Sequence, residues 1–317
     1  MTKSVKEAVK QVLGASTVTE YGRAGGGCIN QGTGFQTDTH GPVFVKQNSD
    51  TKSRTMFDGE FESLASLQST ALVRVPKPIA VVENPEGGSL LITEYIEMSS
   101  GLGKHAATLG KQLAKLHLHN ESQIQQSVKN ESRVSSQSQS AKPVTEFGYH
   151  VTTCCGFIPM DNSWSDNWPE FFSCQRLKLQ VDLVMKEYSD RELQNLWSQL
   201  EPKIEQFFPK DLSRIQPSLL HGDLWSGNVA ETQDGPVIFD PASFYGHSEF
   251  DLSISHLFGG FPSAFFDAYH QIIPKAKGFE QRLSLYTLYH YLNHWNHFGT
   301  SYRSPTISTL KKLIKAY

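Results

Sequence analysis

Between Ser218 and Asp240 two short apolar runs flank an Asp234-Gly235 pair, a strong signal for a β-hairpin with a tight turn. Ahead of the turn stand His221-Gly222-Asp223 and then Asn228, in the pattern H-x-D-x-x-x-x-N, and Asp240 closes the second run. Phosphoryl transfer to a hydroxyl needs a carboxylate to accept the acceptor's proton and an amide oxygen to help hold a metal ion. It also needs a second carboxylate to hold Mg²⁺ against nucleotide phosphates. Asp223, Asn228 and Asp240 are those residue types in that order. Mg²⁺ suits such sparse oxygen ligation because it keeps water and phosphate oxygens as its other ligands. Asp, Gly and Asn also build ordinary turns; Asp240 at the end of the hairpin tells against that reading.

The N-terminal part supplies a matching half. Residues 3–13 place Val5, Val9 and Val12 on one helical face. Gly25-Gly26-Gly27 lies in a glycine-dense stretch without the fixed spacing of a common phosphate loop, and alone it reads as a flexible turn. It precedes a strand-like run, Pro42-Val-Phe-Val-Lys46. Residues 55–69 then carry Met56, Phe57, Phe61, Leu64 and Leu67 at helical spacing, with Glu60 among them. A strand Lys held by a Glu from a packed helix clamps the phosphates of a nucleotide in kinase-like folds. Two further strand-like runs, 79–82 and 90–96, follow. The order glycine loop, strand Lys, helix Glu, H-x-D-x-x-x-x-N, strand Asp is what makes chance improbable.

At 317 residues the chain is long enough for two domains or one large bilobal one. A net charge of −3 leaves no basic surplus for a phosphate backbone, which disfavours nucleic acid as a partner. Four cysteines, at 28, 154, 155 and 174, are too few and too uneven for a disulfide scaffold. No apolar run approaches the length of a membrane span, and the first residues lack the apolar core of a signal peptide, so the expectation is a soluble cytoplasmic protein. The segment 119–142 is rich in Ser, Gln and Lys and reads as a loop or flexible insertion. Its Asn-Glu-Ser triplets at Asn120 and Asn130 match a glycosylation acceptor pattern by chance in a polar tract. Beyond 165 the pattern turns helical, over 169–187, 190–206, 261–273, 279–299 and 305–316. The expected architecture is α+β: a β-rich N-lobe with one helix to residue 97, and a mostly helical C-lobe over 98–317 with one embedded hairpin.

The chain resembles the protein-kinase-like superfamily in its aminoglycoside-phosphotransferase-like branch, and within it the fructosamine-3-kinase and ketosamine-3-kinase family. The residues that carry the resemblance are Gly26–Ile29, Pro42–Lys46, Cys154–Pro159, Leu220–Ala230, Asp240–Glu249 and Tyr291–Gly299. The resemblance implies an ATP- and Mg²⁺-dependent kinase acting on the 3-hydroxyl of a ketoamine, the rearranged adduct of a sugar with a protein lysine or a small amine. The unstable 3-phosphate then eliminates and frees the amine, so the family is read as protein-deglycation repair. It further implies Asp223 as catalytic base, Asn228 and Asp240 as Mg²⁺ ligands, and Lys46 as phosphate clamp with Glu60 as its partner. Gly25, Gly26, Gly27 and Cys28 would form the nucleotide loop, and Glu94, Tyr95 and Ile96 the hinge that reads adenine. The alternatives are another small-molecule phosphotransferase, for an aminoglycoside or choline, or a non-catalytic kinase-like binding module.

Two departures from protein kinases are informative. The middle residue of the catalytic triplet is Gly222, so no cation waits there for an activation-loop phosphate. The short stretch Pro241–Glu249 leaves no room for a peptide-docking platform. Within the loop, Trp225 either stacks on a sugar or packs underneath. His247 either bonds sugar hydroxyls or braces the loop, and Glu249 reads as a brace. His290, His294 and His297 share one helical face. With Trp295 and neighbouring aromatics they read as a pocket wall or a hydrogen-bonded core rather than a zinc site, with His294 and Trp295 as substrate candidates. Cys154 and Cys155 read as free thiols. Cys28, in the glycine-rich loop, is a redox candidate whose oxidation would disable nucleotide binding or link two chains, so the protein is expected as a monomer or a redox-linked dimer.

Overall fold

The computed structural model describes residues 4–22, 25–26, 30–131, 143–208 and 215–317, with backbone alone at 25, 26, 130 and 131. Helix α1 (Val5–Val12) starts at Ser4, whose hydroxyl accepts the Glu7 N–H at 3.3 Å. Strands β1 (Val18–Glu20), β2 (Gly25–Gly26), β3 (Gln31–Thr37) and β4 (Gly41–Asn48) follow, then helix α2 (Ser53–Ser69) and strands β5 (Pro78–Glu83) and β6 (Ser89–Glu94). These form one antiparallel sheet in the order β1-β3-β4-β6-β5, with β2 on β3. Alternation in β4 sends Val43 and Val45 into a small core with Val9, Phe35, Leu90 and Ile92. Lys46, opposite Leu91, therefore points to the other face, where α2 lies.

After Ile96 the chain leaves this sheet. Strand β7 (Ser99–Ser100) pairs with a strand of the later hairpin, and α3 (Ala106–Glu131) begins a helical body. Next come the tight pair β8 (Cys154–Cys155) and β9 (Ile158–Pro159), then α4 (Trp168–Phe171), a π-helical turn over Phe172–Lys178, and α5 (Leu179–Tyr188). Helix α6 (Arg191–Leu200) runs into a 3₁₀ turn over Glu201–Phe207, and β10 (Ser218–Leu219) leads to the expected hairpin. Its strands are β11 (Val229–Glu231) and β12 (Pro236–Ile238), with the Thr232 N–H donating to the Gly235 carbonyl at 2.8 Å across the turn. Strand β13 (Tyr245–Gly246) and helices α7 (Glu249–Leu257), α8 (Ser263–His270), α9 (Phe279–Phe298) and α10 (Arg303–Ile314) complete the α+β arrangement around one large apolar core.

The structure corrects three local expectations. Residues 119–131, read as part of a loop, continue α3; Gln, Glu and Lys favour a helix on their own, and Asn120 anchors this one. The Asn120 amide donates to the carbonyls of Val144 and Pro217 at 2.7 Å each, which leaves it buried and closed to glycosylation. The rest of the expected insertion, 132–142, lies outside the described residues. The helix expected over 169–187 contains a π turn, where the buried Arg176 guanidinium bonds the Asp161 carbonyl and Asn162 Oδ1 between the rings of Phe171 and Phe244. Helix α7 went unread because Glu249 to Ser255 are all buried, so it shows no amphipathic period.

Candidate active site

Three elements meet at Lys46. Its ammonium lies 2.5 Å from Glu60 Oε1 on α2 and 2.5 Å from Asp240 Oδ1 just past β12. Burial opposes the Lys46 charge, but the carboxylates of Asp240 and Glu60 outweigh it and hold the pKa above the ordinary value. Burial raises the Glu60 pKa, with Lys46 working against that rise and Asp240 adding to it. The Asp240 backbone has φ +57, a left-handed conformation rare outside glycine and asparagine. A carboxylate held in a strained backbone, partly open to solvent on one side and touching a cation on the other, is poised to change partners.

The triplet His221-Gly222-Asp223 is held by backbone and side-chain bonds from α7 and from the segment after β12. Gly222 has φ +85, and a Cβ there would overlap the Ala242 carbonyl oxygen, so the position admits no arginine. His221 Nε2 donates to the Phe239 carbonyl at 3.0 Å while its Nδ1 accepts the Asp223 N–H at 3.2 Å, which defines a neutral tautomer. The Asn228 amide donates to the Asp223 carbonyl at 2.9 Å and to Asp223 Oδ2 at 3.2 Å. Burial, then the neighbouring charges of Asp240 and Asp251, push the Asp223 carboxyl up to about 7 despite that bond. Sequence reading missed the anchor. Asp251 on α7 accepts the His221 N–H at 2.7 Å and the Gly222 N–H at 2.8 Å, and His117 Nε2 lies 3.2 Å from it. Burial would raise the Asp251 pKa, but His117, His221 and the Gly222 N–H hold it below the ordinary value. A carboxylate inside the apolar run Phe250–Ile254 was the signal that could have revealed it.

At the end of β6, the Glu94 carboxylate pairs with Arg74 and accepts the Lys77 N–H at 3.1 Å, so the Glu94 side chain is engaged on the sheet. The Tyr95 N–H donates to the Pro42 carbonyl at 3.3 Å, and its ring lies against the positions of Gly22 and Gly34, where any Cβ would collide with it. Ile96 is half-buried as the chain passes to the helical body. Gly25 and Gly26 form β2 beside β3, with Gly25 opposite Gly32, the residue that pairs with Lys46 on the next strand. Gly27 and the redox candidate Cys28 lie outside the described residues.

A profile of the fructosamine kinase family matches residues 1–316. The chain belongs to the fructosamine kinase family. It is 51% identical over 309 residues to ketosamine-3-kinase of Mus musculus, covering 97% of this chain and 99% of that one. It is 37% identical over 302 residues to the chloroplastic protein-ribulosamine 3-kinase of Arabidopsis thaliana, covering 95% and 84%. Among solved structures, a candidate fructosamine-3-kinase of Thermobifida fusca shares the fold at a TM-score of 0.78 and 24% identity, covering 99% of each chain.

The remaining candidates of this fructosamine kinase family member divide by exposure. Trp225 is exposed in the loop between Asp223 and Asn228, with its indole laid over Gly227, where a Cβ would collide with the ring. His294 is half-buried, its ring against Phe258, Phe298 and Tyr302 and its Nδ1 donating to the His290 carbonyl at 2.8 Å. Trp295, expected as a substrate candidate, has no exposed surface; its ring is buried in the core with Tyr188 on its outer side. His247 is buried with its Nδ1 2.7 Å from the Tyr286 hydroxyl, which favours bracing; burial pulls its pKa down to about 4. Glu249 is the brace expected of it, bidentate with Arg282 at 2.7 Å on both oxygens. The histidines of α9 turn to separate partners, His290 to the Ser253 hydroxyl and His297 to the Asn293 carbonyl and the Phe157 N–H. Cys154, Cys155 and Cys174 are free thiols, with Cys155 buried.

Proposed function

We propose that this protein transfers the γ-phosphoryl group of ATP to the 3-hydroxyl of a ketosamine on a protein lysine or small amine, whose 3-phosphate then eliminates and frees the amine. The convergence of Lys46, Glu60, Asp240, Asn228 and Asp223 carries this reading: one buried cation for phosphates faces a carboxylate able to take a proton near neutral pH. The sequence likeness to kinases named for ketosamines and ribulosamines supports the acceptor class. An aminoglycoside or choline acceptor has no such support, and a non-catalytic role leaves the raised Asp223 pKa without a use.

The donor set fits Mg²⁺. Asn228 spends its Nδ2 on Asp223 and, at 3.5 Å, on the Asp240 carbonyl, which leaves its Oδ1 as an acceptor; with the Asp240 carboxylate it would give an all-oxygen pair of the kind Mg²⁺ takes with water and phosphate. When bound, the ion neutralises charge developing on the transferred group. Lys46 stands between Glu60 and Asp240, so in this reading it turns from Asp240 toward the nucleotide phosphates while Glu60 keeps hold of it. Asp223 accepts the 3-hydroxyl proton, and Asn228 keeps that carboxylate aimed. Residues 1–97 serve as the nucleotide lobe, with Ile96 and the backbone of Glu94 and Tyr95 facing adenine, and 98–317 as the acceptor lobe. Trp225 and His294 flank the acceptor. No helix of the described residues is long and apolar enough to cross a membrane; we place the enzyme in the cytoplasm.

Turnover of Mg-ATP measured side by side on deoxyfructosyl, ribulosyl and psicosyl amines, with the 3-phosphate followed by ³¹P NMR, tests the reading. Phosphorylation of at least one is expected, and Asp223→Asn should abolish it while ATP still binds. Full activity in that variant would overturn Asp223 as the base.

A further inference from the structure

The ion pair of Lys46 with Glu60 and Asp240 has meaning only if α2 and the segment after β12 hold a fixed distance from one another. The connection is made by side chains that the phosphate clamp does not use. Ser63, on α2 just beyond Glu60, is fully buried; its hydroxyl donates to the Gly59 carbonyl at 2.7 Å and accepts the Ser243 N–H at 3.0 Å. The Ser243 carbonyl accepts the hydroxyl of Thr153 at 3.1 Å, and Thr153, also without exposed surface, receives the Asn162 amide at 2.8 Å. Both backbone polar groups of Ser243 are thus taken by side chains from different elements, one from the helix of Glu60 and one from the segment entering β8. Between Asp240 and Ser243, the Ala242 N–H donates to the His221 carbonyl at 2.9 Å. Gly59 lets α2 rest on the same segment: a Cβ there would come within 2.5 Å of the Thr152 carbonyl oxygen. One turn on, the Tyr149 hydroxyl bonds the Glu62 carbonyl at 3.0 Å and Ser66 Oγ at 2.6 Å.

We propose that Ser63 and Thr153 are positioning residues for phosphoryl transfer, clasping the Ser243 backbone so that Asp240 and Glu60 reach Lys46 together. A left-handed Asp240 persists only where its surroundings over-determine it, and the clasp does so from the C-terminal side. Because Thr153 leads directly into the β8–β9 pair, the same clasp ties that pair to the phosphate clamp. The inference rests on the kinase reading above for its consequence in turnover, but its geometry and its binding consequence do not depend on the acceptor.

The test compares Ser63→Ala, Thr153→Val, Thr153→Ser and the double variant Ser63→Ala/Thr153→Val in the full chain. ATP affinity is measured calorimetrically with and without Mg²⁺, kcat and KM with a ribulosyl amine, and melting temperature without ligand. Ser63→Ala and Thr153→Val should each weaken Mg²⁺-dependent ATP binding or lower kcat about tenfold, the effect of one lost hydrogen bond. KM for the acceptor should hold, and Thr153→Ser, which keeps the hydroxyl, should restore the loss. Since both residues hold one peptide unit, the double variant should fall well short of the product of the singles. Equal behaviour of Thr153→Val and Thr153→Ser, or losses that track melting temperature and ignore Mg²⁺, would overturn the proposal. If the wild type binds Mg-ATP yet phosphorylates no ketosamine, the acceptor reading fails while the clasp is judged on binding alone. If Ser63→Ala does not fold, the Thr153 pair decides.

Discussion

Asp223 shows how one residue sets opposing demands on activity and stability. A carboxyl lifted to about 7 is ionised only toward neutral and higher pH, so kcat/KM should rise with pH through an apparent pKa near 7 and fall below it. A flat profile from pH 6 to 8 would remove Asp223 as the base. The stability sign is the reverse: because its folded pKa lies above the unfolded 3.8, ionising Asp223 costs the folded state more as pH rises between them. Asp223→Asn should therefore melt at a higher temperature than the wild type at pH 8, with the difference shrinking toward pH 4. Calorimetric melting at both values checks this. Gly222 lies next to it with no such latitude. Gly222→Arg must both enter a positive-φ position and displace the Ala242 carbonyl, so it should abolish activity and lower the melting temperature, which thermal denaturation reads directly.

At the scale of elements, joints matter more than the elements themselves. Helix α3 starts against the hairpin strand β11, where Glu231 Oε1 accepts the Gly103 N–H at 2.9 Å and the His105 N–H at 2.6 Å. The carboxylate completes the open end of a 26-residue helix while β7 pairs alongside, so the hairpin is joined at two points to the segment that leads into α3. Burial works against the Glu231 charge, but those N–H bonds dominate and keep its pKa below 4.5. Its contribution is present above the ordinary carboxylate range and is lost as pH falls through the depressed value. Glu231→Ala should cost about 1 kcal/mol in urea unfolding at pH 7, a figure held down by solvent screening. Wild type and variant should converge under acid; an unchanged urea midpoint at pH 7 would show that the cap carries nothing.

For the molecule as a whole, a nucleotide held by Lys46 from the sheet and by Asp240 and Asn228 from the helical body would join its two parts. Mg-ATP should then stabilise the chain by about 2.7 kcal/mol at a hundredfold excess over its dissociation constant. Lys46→Met should abolish most of that thermal shift. A net charge of −3 accords with a protein that handles phosphate through one buried cation and not through a basic surface.

Much of the candidate site was legible because its chemistry is written in residue type and local spacing. The pattern from His221 to Asn228, the Asp234-Gly235 turn, and Lys46 on an alternating strand each need only a few neighbouring residues to be recognised. His117, Ser63 and Thr153 were illegible for the opposite reason. Each is an ordinary polar residue until folding brings a partner to it, as when Ser63 meets Ser243 from 180 positions away. Trp295 is buried because α9 turns that face into the core, which its aromatic-rich sequence does not distinguish from a pocket wall. By itself the sequence determined which groups the chain could offer to phosphoryl transfer, and in what order. Only the tertiary structure decided that Lys46 and Asp240, 194 positions apart, stand at hydrogen-bonding distance. Proton transfer and phosphate binding act over a few ångströms of space, and separation along the chain carries no information about that distance.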